Sequence, residues 1–276
     1  MTTRTDTTAP TPAPVLEPVP RTAARHGPLR HAMTLAWRGL VKTVHSPEAL
    51  IDVTLQPVIF LLLFVYVFGG AIAGDTSAYL QFALPGVLVQ TVIFASAGTG
   101  TALADDLHTG IFDRFRSLPI PRSAPLLGAI TADLARYATS GVIMLVFGAI
   151  LGFRTEAGPL AIVAALAMVI AFAFALCWIF TALAMVVREP RSVQGLGALI
   201  SLPLTFGSNV FVPADTMPGW LQGWVNVNPV SKTADAVRGL LLGGPVAGPA
   251  GTALLWAAGI TLVFAPLAVF LYRRRT

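Results

Sequence analysis

The sequence predicts an all-α integral membrane protein. It should have six transmembrane helices, an interfacial helix before them, and re-entrant external helices between spans five and six. Three observations predict this. Of 276 residues, 55% are hydrophobic and only 11% charged, with a mean hydropathy of +0.75, whereas soluble domains carry about 25% charged residues. Six apolar runs are each long enough for a bilayer, which takes about 20 residues. Fifteen of the eighteen Lys and Arg fall on one side of the topology those runs define, the bias of a chain with both termini in the cytoplasm. An odd number of spans would separate the basic N-terminal region from Arg273, Arg274 and Arg275.

Residues 1–28 are rich in Thr and Pro and lack the apolar core of a signal peptide. They read as a disordered cytoplasmic tail, followed by one membrane domain over 29–276. Residues 29–45 place Leu29, Met33, Trp37, Leu40 and Val44 on one helical face, with His31, Arg38, Lys42 and His45 opposite. That is an interfacial helix, apolar side in the acyl boundary and basic side toward anionic headgroups. Ser46 and Pro47 start the next helix. The six spans are expected over 49–68, 83–104, 124–152, 160–187, 193–211 and 252–271. The third carries Asp133 and Arg136 at i, i+3 in its early turns, where a local ion pair near an interface costs little. Cys177, the one cysteine, lies in an apolar run and is expected to pack there.

Between spans two and three, residues 105–125 read as a short amphipathic helix ended by Pro119 and Pro121. At 100° per residue Leu107, Ile111, Phe115 and Leu118 fall within about 80° of one another. Asp106, Asp113, Arg116 and Ser117 lie on the other side. Such a helix can dock into a groove on a soluble partner or rest on lipid headgroups. On the opposite side of the membrane, 212–249 should form two short helices. One, over 217–227, aligns Trp220, Leu221 and Trp224, ring systems suited to the headgroup zone, and is broken at Pro229 after Asn228. The other begins with Ser231 as N-cap, buries Ala234, Val237 and Leu241, and ends at Gly243 and Gly244.

Polar side chains inside the spans face protein or a water-filled cavity rather than lipid. Span two offers Gln90, Ser96 and Thr99, and span five Ser201, Thr205, Ser208 and Asn209. They are candidates either for helix–helix contacts or for lining a largely apolar cargo cavity. Catalytic chemistry is not legible. A phosphate loop needs Gly-Lys, and neither Lys42 nor Lys232 follows a glycine. The histidines His26, His31, His45 and His108 lack metal-ligand spacing, and no nucleophile elbow occurs. We expect no catalytic residue, no metal site and no cofactor on this chain. The net charge of +5 follows membrane topology, which argues against a nucleic-acid partner.

The loop GIFDRFRSLPIPRSAPLLG, followed by FVPADTMPGWLQGWVNVNPVS and ADAVRGLLLGGP in that order around six spans, resembles ABC type-2 transporter permeases. It looks most like the daunorubicin-resistance branch of bacterial exporters. The resemblance implies an elbow helix at 29–45 and a dimer of six-span subunits, either homo- or heterodimeric, in a bacterial inner membrane. It also implies a separate ATPase subunit holding ATP and Mg. The loop between spans two and three would be the coupling helix, with Gly110, Ile111, Phe112, Asp113, Arg114, Phe115 and Arg116 contacting the ATPase and Leu107 and Leu118 extending its apolar stripe. Where many relatives have an acidic pair followed by more arginine, this chain has Asp105, Asp106, Leu107 and His108. The function implied is export of hydrophobic or amphipathic small molecules. Rivals are export of a lipid or lipid-linked glycan and, from another class, an ion-coupled secondary transporter. The latter would need acids at mid-bilayer and two similar halves, and the expected interfacial placement of Asp52 and Asp133 argues against it.

Overall fold

The computed structural model describes residues 47–109, 124–187 and 189–275. The expected tail, the 29–45 helix and the loop residues 110–118 lie outside them. Every regular element among the described residues is helical. Helix α1, Pro47–Leu63, contains Pro57 and widens into a π turn, Phe64–Phe68, before α2, Gly69–Ala73. The first apolar span therefore runs over Thr54–Ala73, ending beyond the expected Phe68. Gly74 takes the left-handed conformation, φ +73°, that a side chain would disfavour. Asp75 then accepts from the Ser77 and Ala78 amides, both at 3.0 Å, and so caps the start of α3.

Helix α3, Thr76–His108, has 33 residues and is about 50 Å long. It touches α1, α2, α4 (Ala124–Leu151), α5 (Pro159–Val186), α6 (Pro190–Phe206) and α8 (Pro229–Leu242). Its hydropathy, 1.6, is the lowest of the five candidate spans, and 67% of its span window is buried. The two facts belong together, since a helix surrounded by protein can carry Gln, Ser and Thr that lipid would reject. The outer helices show the reverse. Helix α9, Ala247–Arg275, has hydropathy 2.3 and 11% of its window buried.

Five described helices are long and apolar enough to cross a membrane. The expected fifth span falls short of that length. Helix α6 ends at Phe206 rather than Phe211 and has 17 residues, about 25 Å against a hydrocarbon core of about 30 Å. Pro203 removes one helical donor, and Gly207 closes the helix by donating to the Pro203 carbonyl at 2.9 Å. A non-helical turn follows, then a 3₁₀ turn Ala214–Thr216, α7 (Gly219–Val227) and α8. The second external helix starts two residues before Ser231, because Asn228 is the N-cap, accepting from the Val230 amide at 2.9 Å. Ala234, Val237 and Leu241 are buried as expected. Gly243, at φ +77°, ends α8.

Close helix approach depends on two glycines. A Cβ on Gly100 would lie 2.8 Å from the Phe180 Cβ and 2.9 Å from its carbonyl oxygen, and one on Gly86 would lie 2.5 Å from the Val210 carbonyl oxygen. Gly98, on the same helix, has nothing within 4 Å of that position. We therefore expect Gly100→Ala to lose about 1–3 kcal/mol through overpacking. Gly98→Ala should be neutral or slightly stabilising, since alanine is the better helix former. Thermal unfolding in detergent checks both, and equal melting temperatures would refute the packing account.

Candidate functional site

Three places on the bundle bear on function. At one end the C-terminus of α3 meets the start of α4, the end of α5, the start of α6 and the end of α9. Leu103, Ala104, Leu126, Met185, Val193 and Tyr272 form a buried apolar cluster there, with Leu107 packed against it. Thr109 closes α3 through its amide and hydroxyl, both donating to the Asp105 carbonyl. Leu107 is thus the inner edge of the predicted apolar stripe. Gly110, Ile111, Phe112, Asp113, Arg114, Phe115, Arg116 and Leu118 lie outside the described residues. The same end carries Arg191, Arg273 and Arg274, and the Arg274 guanidinium lies 4.4 Å from the Phe270 ring centre.

At the other end, α8 is latched beneath the turn that follows α6. Arg238 donates from Nε to the Phe82 carbonyl (3.1 Å), and from Nη2 to the carbonyls of Asn209 (2.6 Å) and Val210 (3.1 Å). Its Nη1 reaches Asp235 Oδ1 at 3.2 Å, and Asn209 Nδ2 donates to the same oxygen at 2.7 Å. The guanidinium also sits 3.9 Å from the Phe82 ring centre. Burial pushes its pKa down to about 10 against the pull of Asp235, so it remains a cation at neutral pH. Tyr79 Oη donates to the Phe211 carbonyl at 2.7 Å. Asn228 completes the turn, its Nδ2 donating to the carbonyls of Leu204 and Gly207, each at 2.9 Å. Of the expected cap residues, Asn228 is buried, Pro229 opens α8, and Trp220 and Trp224 are exposed. The sequence reading missed Arg238, Tyr79 and Gly86. A lone arginine in the apolar stretch ADAVRGLLLGG was the available signal.

The third place lies midway along the bundle. A cleft of about 140 Å³ opens between α1, α3 and α4, lined by Gln56, Phe60, Gln90, Phe94, Gly98 and Arg136 among others. Arg136 is about 18 Å along α4, at 1.5 Å per residue. The expected i, i+3 ion pair of Asp133 and Arg136 is formed, 2.9 Å apart. Among the candidate cavity residues, Gln90 lines this cleft. Ser96 and Thr99 instead turn to α5 and α4. Cys177 Sγ donates to Ser96 Oγ at 3.7 Å, and Thr99 shares a short hydrogen bond with the Tyr137 hydroxyl. Ser201 and Thr205 are buried on α6 with hydroxyl oxygens that have no hydrogen-bond partner. Ser208 and Asn209 belong to the latched turn, Ser208 donating to the Thr205 carbonyl.

A helical bundle with five described helices long and apolar enough to cross a membrane, the most polar of them the most buried, is the architecture of a multi-pass membrane protein. Residues 30–242 match the ABC-2 type transporter family model, and the chain belongs to that family. It is 44% identical over 252 residues to the daunorubicin resistance ABC transporter permease protein DrrB1 of Streptomyces coeruleorubidus, covering 91% of this chain and 89% of that one. It is 31% identical over 192 residues to the doxorubicin resistance ABC transporter permease protein DrrB of Mycobacterium tuberculosis H37Rv, covering 67% and 66%.

Replacing Arg238 by methionine strands the Phe82, Asn209 and Val210 carbonyls, each unmet polar group costing about 1–3 kcal/mol. We expect Arg238→Met to unfold at much lower temperature. Arg238→Lys should recover less than half the loss, because an ammonium cannot reproduce the planar fork. A lysine variant that melts with the parent would refute the latch.

Proposed function

We propose that the chain is the membrane-spanning permease subunit of an ATP-driven exporter. It moves hydrophobic or amphipathic small molecules, drugs or natural products, out of a bacterial cell. The observation that carries this reading is the 44% identity, over nine-tenths of both chains, to a permease named for daunorubicin resistance. ATP and Mg belong to a separate ATPase chain. A second permease subunit completes the pathway, with the exposed Leu196, Leu199, Leu202 and Phe206 of α6 as one apolar face available to it. Helix α6 and the latched turn after it make the sixth crossing, and α7 and α8 form a re-entrant outer cap. Both termini lie in the cytoplasm, in keeping with the arginines at the end where α3 and α9 finish.

In this reading residues 110–118 are the coupling helix. Ile111 and Phe115 fill an apolar groove on the ATPase while Asp113 and Arg116 pair at its rim. Leu107 links that stripe to the cluster of Leu103, Leu126, Met185 and Val193, so force on the loop acts on α3, α4, α5 and α6 together. Helix α3 carries the displacement along its length to the Arg238 latch. ATP-driven closure of the ATPase pair then shifts the population from inward-open to outward-open.

Coexpression with the ATPase encoded beside it tests the reading. The parent pair should copurify and transport daunorubicin into inverted vesicles only with ATP. Phe115→Asp should lower cargo-stimulated ATPase activity and transport at least tenfold. Full coupling in that variant would reject the apolar contact, and transport by the permease without any ATPase would reject the exporter reading.

A further inference from the structure

The mid-bundle cleft has chemistry that no packing among the described residues uses. Gln90 is 3% exposed, and its amide oxygen has no hydrogen-bond partner. Arg136 Nε is likewise buried and unpartnered, while one Nη is held by Asp133. A buried, unpaired polar group costs about 1–3 kcal/mol, and an ionisable residue within a span marks a ligand path by default. Phe60 and Phe94 add ring surfaces, and Gln56 adds a second amide at the mouth. Gly98 borders the space with no atom within 4 Å of its missing Cβ, so the cleft is open where any other residue would narrow it.

The size decides what fits. Drug-sized ligands occupy pockets of about 300–1,000 Å³, and this cleft, at about 140 Å³, takes one ring system and its polar edge. The Asp133–Arg136 pair leaves it without net charge. The matching group is a planar aromatic edge bearing hydroxyl and carbonyl oxygens. Gln90 and Arg136 line the space, so a small rotation of either side chain brings an amide acceptor or a guanidinium donor to that group, with its rings against Phe60 and Phe94.

We propose that the cleft between α1, α3 and α4 is a cargo-loading site, which takes the oxygen-edged aromatic portion of an amphipathic molecule while the remainder stays in lipid. This rests on the exporter reading. It differs from a cavity lined by α3 and α6, because four of its recognition groups, Gln56, Phe60, Gly98 and Arg136, were not among the polar span residues that suggested one.

The test uses the full chain in nanodiscs of phosphatidylethanolamine and phosphatidylglycerol, with quenching of daunorubicin fluorescence as the binding readout. Gly98→Leu fills the opening, Gln90→Leu removes the acceptor at similar length, and Gly259→Leu adds the same bulk on α9, where the Cβ position is also open. Gly98→Leu and Gln90→Leu should raise Kd at least tenfold with melting temperatures no lower than the parent's. Gly259→Leu should bind as the parent does. Parent-like binding in both cleft variants overturns the inference and leaves the exporter reading intact if ATP-driven transport persists. A parent chain that binds no daunorubicin but carries a phospholipid that Gly98→Leu releases, seen by native mass spectrometry, assigns the cleft to lipid and also overturns it. Absence of ATP-driven transport with the ATPase present counts against the exporter reading separately.

Discussion

The structure depends on how bare backbone is kept satisfied inside a protein made of helices. A membrane-embedded chain has no water to complete a broken ladder, so irregular backbone survives only where side chains supply the bonds. The turn after α6 is such a place. Arg238 reaches the Asn209 and Val210 carbonyls, Tyr79 the Phe211 carbonyl, and Asn228 the Leu204 and Gly207 carbonyls. Each donor comes from a different point of the chain, so the turn cannot form alone. It forms when α3, α7 and α8 are already together. Gly86 is the steric counterpart, because any Cβ there would collide with the Val210 carbonyl. Stacking of Phe211 on Phe64, centroids 4.0 Å apart, extends the same knot to the π turn of the first span.

The knot gives α3 its mechanical meaning. Helix α3 holds the latched turn near Tyr79, Phe82 and Gly86 and ends in the apolar cluster at Leu103 and Ala104. One continuous helix thus joins the end bearing the loop to the end bearing the cap. Gly100 brings Phe180 within contact of the same helix, which ties α5 to it. On the coupling reading proposed above, a push at the loop would travel through these close-packed contacts, and packed interiors shift between discrete arrangements rather than deforming smoothly.

What could be read from the sequence was local. Apolar run length placed most spans, glycines marked the ends of α4 and α8, and 3.6-residue spacing identified the buried face of Ala234, Val237 and Leu241. What escaped was long-range pairing. Arg238 and Phe82 are 156 residues apart in sequence, and no spacing rule links them. Ser231 was read as the N-cap of the second external helix, and Asn228, which holds that place, was not, because its side chain also bonds the end of α6, a contact no local spacing shows. Helix α6 was read through to Phe211 because hydropathy does not register a turn that distant donors make affordable. Leu107 was expected on an apolar face, and it packs against an apolar cluster, because α3 continues through it and periodicity applies.

Arg238 and Arg136 separate structural from available chemistry. Arg238 uses every nitrogen, joining α8 to α3 and to the turn, and a saturated guanidinium of that kind acts as a fastening. Arg136 does not. Asp133 at 2.9 Å and the Tyr137 ring at 5.6 Å lie on its own helix, so among the described residues it fastens α4 to no other helix. A charge within a span carries an insertion cost, and an i, i+3 pair on one helix offsets part of that without fastening two helices together. A residue kept only for stability would be better replaced by leucine, since apolar replacement of buried ion pairs is often neutral or stabilising. With Arg136 Nε and the Gln90 amide oxygen both unsatisfied and both residues lining one cleft, the arrangement makes physical sense when a third party, passing through, supplies the missing hydrogen bonds.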